Sequence, residues 1–187
     1  MYKRNVKDLA TPRVHTVTWE DPQTSRRDAA VISGLDYLLA IRDGSIGQPP
    51  VARLIGYRIR EVKQGHVVFE LEPAEYHYNP FATVHGGIMS TLLDSAMTAA
   101  VLSTLRIGLT CFTLEMKVNF VRPVAGPVGV VRSEGNVIHV GSSIATAEGK
   151  LLDRQGTLYA HAVSTCSIAS LPGAVAGAAG SPGRNSR

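Results

Sequence analysis

One segment of the sequence, residues 88–105, is rich in helix-forming residues and apolar on nearly every face, and alternating apolar and polar residues flank it on both sides. A helix without a polar face must be buried. The segment is almost long enough to cross a membrane, but it contains Asp94 and six serine or threonine residues, and a carboxylate in lipid is costly. We therefore expect no membrane span, and a central helix that is enclosed by a sheet.

The alternating stretches predict about six strands. Short turns separate most of them, as at Gln64-Gly65 and at 153–156, and short turns favour antiparallel pairing. The sequence therefore predicts an α+β fold in which an antiparallel sheet wraps around the long helix. The pattern shifts to alternation from Val51 onward, and the predicted strands are 55–60, 66–72, 111–121, 128–132, 137–146 and 158–168.

The strand predicted at 111–121 has the clearest alternation. One face is expected to be dry, and it carries Phe112, Leu114, Met116, Val118 and Phe120. Thr113 falls on the opposite, polar face. It can reach the helix only if a bulge or an edge position changes its direction.

Chain length limits the domain organisation, since 187 residues fit one domain with extensions at both ends. Residues 1–24 indicate a polar, flexible arm, and the Gly/Ala/Pro-rich residues 171–187 indicate a disordered tail. The single domain between them, 25–170, is expected to open with a short amphipathic helix that Ser25 and Asp28 cap and Gly44 ends. Its apolar positions are Ile32, Leu35, Leu38 and Leu39.

The net charge of +4 does not indicate a nucleic-acid partner. Residues 31–170 hold 11 basic and 11 acidic side chains, and aromatic residues make up only 6% of the chain. Cys111 and Cys166 lie far apart without a CxxC motif, and no histidine spacing fits a metal site. We expect two packed cysteines, no metal and, without an export signal, a cytoplasmic protein.

Two adjacent glycines, Gly86 and Gly87, follow His85 at the start of the buried helix. Glycine inside a helix costs about 1 kcal/mol relative to alanine, but it is tolerated at a helix start. The first amide N–H groups there have no helical partner, and without side chains they can meet an acceptor oxygen directly. The pair therefore indicates either an oxyanion hole or a tight turn into the helix.

Asp94 is the only charged residue between His85 and Arg106. A buried carboxylate needs a partner or a function, so Asp94 is either a base or nucleophile, or a member of a structural hydrogen-bond network. Nine residues put His85 and Asp94 about 180° apart around one helix and ~13–14 Å apart along it. If both act on one substrate, two copies of the helix must contribute, as in a twofold dimer.

The same stretch resembles a known family. Asn79 lies six residues before the His85-Gly86-Gly87 motif, and Asp94 lies nine residues after His85. Both spacings are similar to those of the hotdog-fold acyl-CoA thioesterases of the phenylacetic-acid-degradation (PaaI-type) group. Residues 113–126 resemble the third strand and the following turn of that family. The resemblance covers roughly 50–170, and it departs from the family pattern at Ala82, where members often carry glycine.

This resemblance implies a hotdog fold, in which a curved antiparallel sheet of about six strands surrounds a long central helix. It also implies homodimers or dimers of dimers with active sites at the subunit interface. The implied reaction hydrolyses an acyl-CoA, with a medium-chain or aromatic acyl group, to the free acid and CoA without a cofactor.

The resemblance also assigns roles to individual residues. Gly86, aided by Asn79, would polarise the acyl carbonyl, and Asp94 of the facing subunit would act as base or nucleophile. His85 would position the thioester or the helix start. Thr113 would orient the water or the carboxylate.

Gly87 and Arg122 are expected to contact the substrate. Further candidates for the phosphates of CoA are Arg58, Arg60, Lys117 and Arg132. Two alternatives stay open on this fold, a non-catalytic acyl-CoA-binding or regulatory module and a dehydratase or hydratase. The acid at position 94 favours catalysis over binding alone, and the histidine–acid pairing expected of a dehydratase is not seen.

Overall fold

The computed structural model describes residues 12–126 and 128–171, which form four α-helices and six strands. The helices are α1 Pro22–Ala29, α2 Gly34–Asp43, α3 Pro50–Ile55 and α4 Gly86–Leu102, and a short 3-10 turn spans Glu75–His77. The strands are β1 Arg58–Lys63, β2 His66–Leu71, β3 Leu109–Phe120, β4 Val131–Val140, β5 Ile144–Asp153 and β6 Leu158–Ser170.

All six strands belong to one antiparallel sheet with the order β1-β2-β4-β5-β6-β3. Helix α4 packs against this sheet and contacts β2 through β6. Its side chains Leu93, Ala96, Met97 and Ala100 are completely buried and form the centre of the core. The predicted α+β class, with a curved antiparallel sheet around a long helix, is confirmed.

Two glycines in the strands allow helix α4 to lie close to the sheet. A Cβ atom on Gly135 of β4 would lie 2.2 Å from the backbone oxygen of Ala96, and one on Gly149 of β5 would lie 3.0 Å from Cγ of Met97. Glycine normally weakens a strand, but here any side chain would push the helix away from the sheet. The position of α4, which carries the candidate site, therefore depends on these glycines.

The N-terminal helical region differs from the prediction, because it contains two helices before residue 44. Helix α1 is capped by Asp21, whose side chain accepts a hydrogen bond from the Gln23 amide at 2.9 Å. Helix α2 is capped by Ser33 and ends at Gly44. The predicted cap at Ser25 and Asp28 was wrong, since Asp21 followed by proline starts the helix one turn earlier.

Three strand boundaries also differ from the prediction. Residues 50–55 form helix α3, which starts at Pro50, and β1 begins only at Arg58. The strands predicted at 128–132 and 137–146 are instead β4 and β5, and their turn lies at 141–143. The apolar residues on either side of this turn are exposed, so an apolar pattern that runs across the turn hid it from the sequence analysis. They are Ile138, Val140 and Ile144.

Strand β3 pairs with β6 and, within the described part of the chain, its other edge has no partner. The expected dry face was wrong, because Phe112, Leu114 and Phe120 are 58%, 61% and 52% exposed. The strand also has a register shift between Thr113 and Glu115, which divides the apolar alternation into two halves. Met116 and Val118, beyond the shift, do pack against the core.

Residues 1–11 of the predicted arm and 172–187 of the predicted tail are outside the described residues. The predicted boundary after residue 24 falls inside helix α1. Among the helices of the described ranges, none has the length and apolar character that a membrane crossing requires.

Candidate active site

Asp94 lies in the third turn of α4, half-buried, and two threonine hydroxyls surround its carboxylate. Thr113 donates a hydrogen bond of 2.6 Å to Oδ1 of Asp94. The Thr98 hydroxyl lies 3.5 Å from the same oxygen and 3.0 Å from the Thr113 hydroxyl. The hydroxyls hold one carboxylate oxygen in a defined orientation, as a base or nucleophile requires.

The irregularity in β3 explains how Thr113 reaches Asp94. Cys111 and Thr113 face α4, since the Cys111 thiol lies 3.5 Å from the backbone oxygen of Thr98. The extra residue at Leu114 reverses the alternation, so that Met116 and Val118 face the core beyond it. Thr113 and Met116 therefore point to the same side although their numbers have opposite parity.

A cleft of about 480 Å³ opens beside Asp94. Helices α2, α3 and α4 and strands β1, β2 and β3 form its walls, and most of the lining side chains are apolar. Its polar groups include Asp94 with Thr98 and Thr113, and the Tyr57 hydroxyl, which lies 3.0 Å from Oγ of Ser95. A mainly apolar cleft with a few oriented polar groups is typical of a small-molecule site.

Cys111 also lines this cleft but is not a suitable nucleophile. Burial, together with the nearby Cys166 and Asp94, raises the pKa of its thiol to about 12. Burial also raises the pKa of Tyr57, and the charge of Asp94 acts in the same direction. Of these three groups, Asp94 is therefore the candidate base or nucleophile of the cleft.

The start of α4 forms a second group of candidate residues. His85 is the N-cap, and its Nδ1 accepts a hydrogen bond from the Gly87 amide at 2.9 Å. Among the described residues, the amide of Gly86 has no hydrogen-bond partner. The Gly87 amide is therefore occupied by His85, contrary to a direct role in substrate binding, whereas the Gly86 amide is free to donate.

Gly86 faces a shallow cleft of about 300 Å³ that Phe120 and Arg122 also line. A Cβ atom on Gly86 would lie 3.3 Å from the Phe120 ring, so glycine keeps the approach to the amide open. Arg122 is exposed at this cleft, as its predicted role requires. Arg58, Arg60 and Arg132 instead lie 3.5 to 3.9 Å from glutamates of the sheet.

Asn79 organises the loop that precedes the glycines. Its Oδ1 accepts from the Phe81 and Thr83 amides, and its Nδ2 donates to the Thr83 hydroxyl at 2.8 Å. Ala82 in this loop has a φ of +58°, the conformation that favours glycine. Ala82, at the position where the family often has glycine, thus has a backbone conformation that glycine adopts without strain. Asn79 shapes the loop before the free amide, and its side-chain amide is bonded within that loop.

One protomer does not bring the two groups together. Gly86 and Asp94 belong to one continuous helix, so about 12 Å separates them along its axis. Asp94, Thr98 and Thr113 form one half of a possible site, and Gly86 with its loop forms the other half.

Several residues of the site were missed by sequence analysis. Thr98 lies one helical turn after Asp94, and this spacing could have identified it. Tyr57, Ser95 and Tyr37 come to the cleft from different elements and carry no local signal. Within residues 12–126 and 128–171, no group of three His, Cys, Asp or Glu side chains could hold a metal ion.

A family model described as "Thioesterase superfamily" matches residues 81–160. The 1,4-dihydroxy-2-naphthoyl-CoA hydrolase of Listeria monocytogenes is 30% identical over 115 residues, which are 62% of this chain and 90% of that protein. A phenylacetic acid degradation-related protein from Ralstonia eutropha, whose structure is solved, has a TM-score of 0.64 and 28% identity, over 70% of this chain and 98% of that chain.

The structure of the E. coli PaaI protein has a TM-score of 0.61 at 20% identity, over 66% of this chain and 86% of that chain, and supports the fold. Both structures agree with the six-stranded sheet around α4. The chain belongs to the thioesterase superfamily, as a PaaI-type thioesterase with the hotdog fold.

Proposed function

We propose that this protein hydrolyses acyl-CoA thioesters with medium-chain or aromatic acyl groups, in composite sites between two subunits. One observation carries the proposal. The threonine-held carboxylate of Asp94 lies at a mainly apolar cleft, while the free amide of Gly86 lies at the start of the same helix, about 12 Å away. Enzymatic hydrolysis of such a thioester requires an apolar site for the acyl group, a base beside that site, and a hydrogen-bond donor for the carbonyl oxygen.

In the proposed reaction the acyl group occupies the cleft beside Asp94. The thioester oxygen accepts a hydrogen bond from the Gly86 amide of the facing subunit. Asp94 either takes a proton from a water that adds to the carbonyl carbon, or attacks that carbon itself to form an anhydride that water then cleaves. In both routes the C–S bond breaks, and CoA leaves as a thiolate that takes up a proton.

The neighbouring residues, Thr98 and those predicted from the sequence, support these two groups. Thr113 and Thr98 orient the carboxylate, His85 caps the helix, and Asn79 shapes the loop before Gly86. Arg122, exposed beside Gly86, is placed to meet a phosphate of CoA. Among the described strands β3 has an unpaired edge, and this edge with its exposed apolar side chains favours a homodimer, or a dimer of dimers. A cytoplasmic location stays a prediction.

A free-thiol assay over a panel of acyl-CoA substrates tests this function. We expect Asp94→Asn to lower kcat at least ~100-fold, as removal of a general base does. Asp43→Asn is a matched control, because Asp43 lies at the end of α2 outside both clefts and should retain full activity.

Two results would contradict the proposal. Unchanged turnover in folded Asp94→Asn would remove Asp94 from the mechanism. If the wild-type protein binds an acyl-CoA but hydrolyses none, the chain is a binding or regulatory module.

A further inference from the structure

The cleft beside Asp94 is closed by helices that lie outside the segment matching the thioesterase family model, residues 81–160. Helix α2 contributes Tyr37, Leu38 and Ile41, and helix α3 contributes Val51 and Ala52. If an acyl group occupies this cleft, its contacts therefore depend on a part of the chain outside the matched segment. The following inference rests on the proposed function and concerns which acyl groups fit.

The length of the cleft can be measured along α4. The α4 residues that line it begin with Asp94, continue with Ser95, Thr98 and Ala99, and finish with Leu102. Eight residues of helix span about 12 Å. An extended hydrocarbon chain advances roughly 1.25 Å per C–C bond of ~1.5 Å, so ~12 Å accommodates about ten carbons.

A second cavity of about 410 Å³ lies next to Leu102, between α1, α2 and the end of α4. Tyr37, Gln48, Pro49 and Leu102 line both the cleft and the second cavity, so they form the wall that divides them. The Tyr37 hydroxyl lies 2.7 Å from Oγ of Ser25 in α1, and this hydrogen bond holds the ring in place.

Tyr37 is the largest side chain in this wall, and the space behind it is nearly as large as the cleft itself. The second cavity has apolar lining residues that could contact a longer chain. They are Ala29, Ile46, Pro50, Leu109 and Leu171.

We propose that Tyr37 closes the acyl cleft and limits the substrate to acyl chains of about ten carbons. A phenylacyl group is short enough to fit the same cleft. Removal of the Tyr37 ring would join the two cavities and admit chains of fourteen to sixteen carbons.

The test compares decanoyl-CoA with palmitoyl-CoA at concentrations below micelle formation. In the wild-type protein we expect kcat/KM for palmitoyl-CoA to be at least tenfold lower than for decanoyl-CoA. Tyr37→Ala should raise the ratio of palmitoyl to decanoyl kcat/KM at least tenfold. Each buried methylene should raise kcat/KM about fourfold, so burial of two of the six additional methylenes of palmitoyl-CoA is enough for a tenfold change in the ratio.

Two variants serve as controls. Tyr37→Phe keeps the ring and should leave the palmitoyl-to-decanoyl ratio within twofold of the wild-type value. Tyr76→Ala removes an exposed tyrosine that lines neither cavity and should change neither the ratio nor the activity. A ratio that rises less than threefold in folded Tyr37→Ala would overturn the proposal.

A second substitution tests the cleft if Tyr37→Ala does not fold. Ala99 lies about 7.5 Å along α4 from Asp94 and lines the cleft, so Ala99→Leu should shorten it. We expect kcat/KM for decanoyl-CoA to fall at least tenfold while that for butanoyl-CoA changes less than threefold. Equal losses of kcat/KM with both substrates would contradict the proposal that the acyl chain extends along the cleft past Ala99.

Failure of the proposed function gives a different result. If the wild-type protein hydrolyses no thioester, calorimetric titration with decanoyl-CoA and palmitoyl-CoA still measures the effect of Tyr37→Ala on the ratio of their dissociation constants. A tenfold change in that ratio would support Tyr37 as the end of the cleft in a binding protein. An unchanged ratio would reject it.

Discussion

Subunit complementation tests whether the two halves of the site act across an interface. Gly86 and Asp94 lie about 12 Å apart in one continuous helix, too far to contact the same carbonyl group. If the facing subunit supplies the missing half, a dimer with one Asp94→Asn subunit and one Gly86 variant contains one intact site and one doubly defective site.

The appropriate Gly86 variant is Gly86→Pro, which removes the amide hydrogen and adds the proline ring. Gly86 is the first residue of α4, where proline is favoured, and its amide has no partner among the described residues. His85 has φ −62° and ψ 137°, the extended conformation that precedes proline. Gly86→Ala is the matched control, since it brings the same Cβ contact with Phe120, at 3.3 Å, and keeps the N–H.

The expected activities follow from the proposed roles of Gly86 as oxyanion donor and Asp94 as base or nucleophile. Loss of one oxyanion donor lowers kcat by about 10²–10³-fold, so each homodimeric parent should retain ~1% or less of wild-type activity. Gly86→Ala keeps the amide hydrogen, so its kcat should fall less than about tenfold. After joint unfolding and refolding of equal amounts of the two parents, about half of the dimers are mixed, so the activity should reach ~25% of wild type.

The assay is free-thiol release by the refolded mixture, with each parent refolded alone for comparison. An activity equal to the mean of the two parents, despite subunit exchange shown by differently tagged chains, would refute the composite site. Asp94 and Gly86 would then act within one protomer, or not in the same reaction.

Two further predictions concern single side chains. Thr113→Val removes the 2.6 Å hydrogen bond to Asp94 and should lower kcat about tenfold or more, with KM nearly unchanged. Thr113→Ser keeps the hydroxyl and should retain most of the activity. Equal losses of kcat in both variants would contradict an orienting role. Buried His77 bonds through Nε2 to the Ile55 oxygen and accepts from the Ala74 amide through Nδ1, and burial lowers its pKa. Its contribution to stability should be complete above the unfolded pKa of ~6.5 and decrease as the pH falls through the lowered folded pKa. Urea unfolding between pH 7.5 and 5 should show a flatter pH dependence for His77→Gln than for the wild type, and an identical dependence would reject this role.

The sequence predicts the helix and the overall class because burial on all sides leaves a strong local signal. Residues 88–105 have almost no polar face, and helix α4 spans most of that segment. The separation of His85 and Asp94 also follows from helix geometry alone. The N-terminal helices were less predictable, since Ser25, Asp21 and Ser33 all begin similar capping patterns and tertiary packing decides among them.

Thr113 shows why the details of the site could not be predicted. The alternation of 111–121 assigns Thr113 to the polar face. In the structure a register shift in the β3–β6 pairing directly after Thr113 changes the alternation, and Thr113 faces Asp94. A bulge changes the parity of a strand without a required residue type, so the pattern cannot locate it. The same holds for the acyl cleft, because Tyr37, Tyr57 and Phe69 meet there from distant parts of the chain.

The free edge of β3 and the divided site have a common explanation in a second copy of the chain. A twelve-residue edge with exposed Phe112 and Leu114 would promote uncontrolled strand pairing if it stayed open. Pairing with β3 of a second subunit would close that edge and bury both side chains, and the twofold axis would limit the association to one partner. Because β3 also carries Thr113 and Phe120, the same contact would bring Asp94 of one helix towards Gly86 at the start of the other. Charged substitutions such as Leu114→Lys should therefore reduce association and activity together.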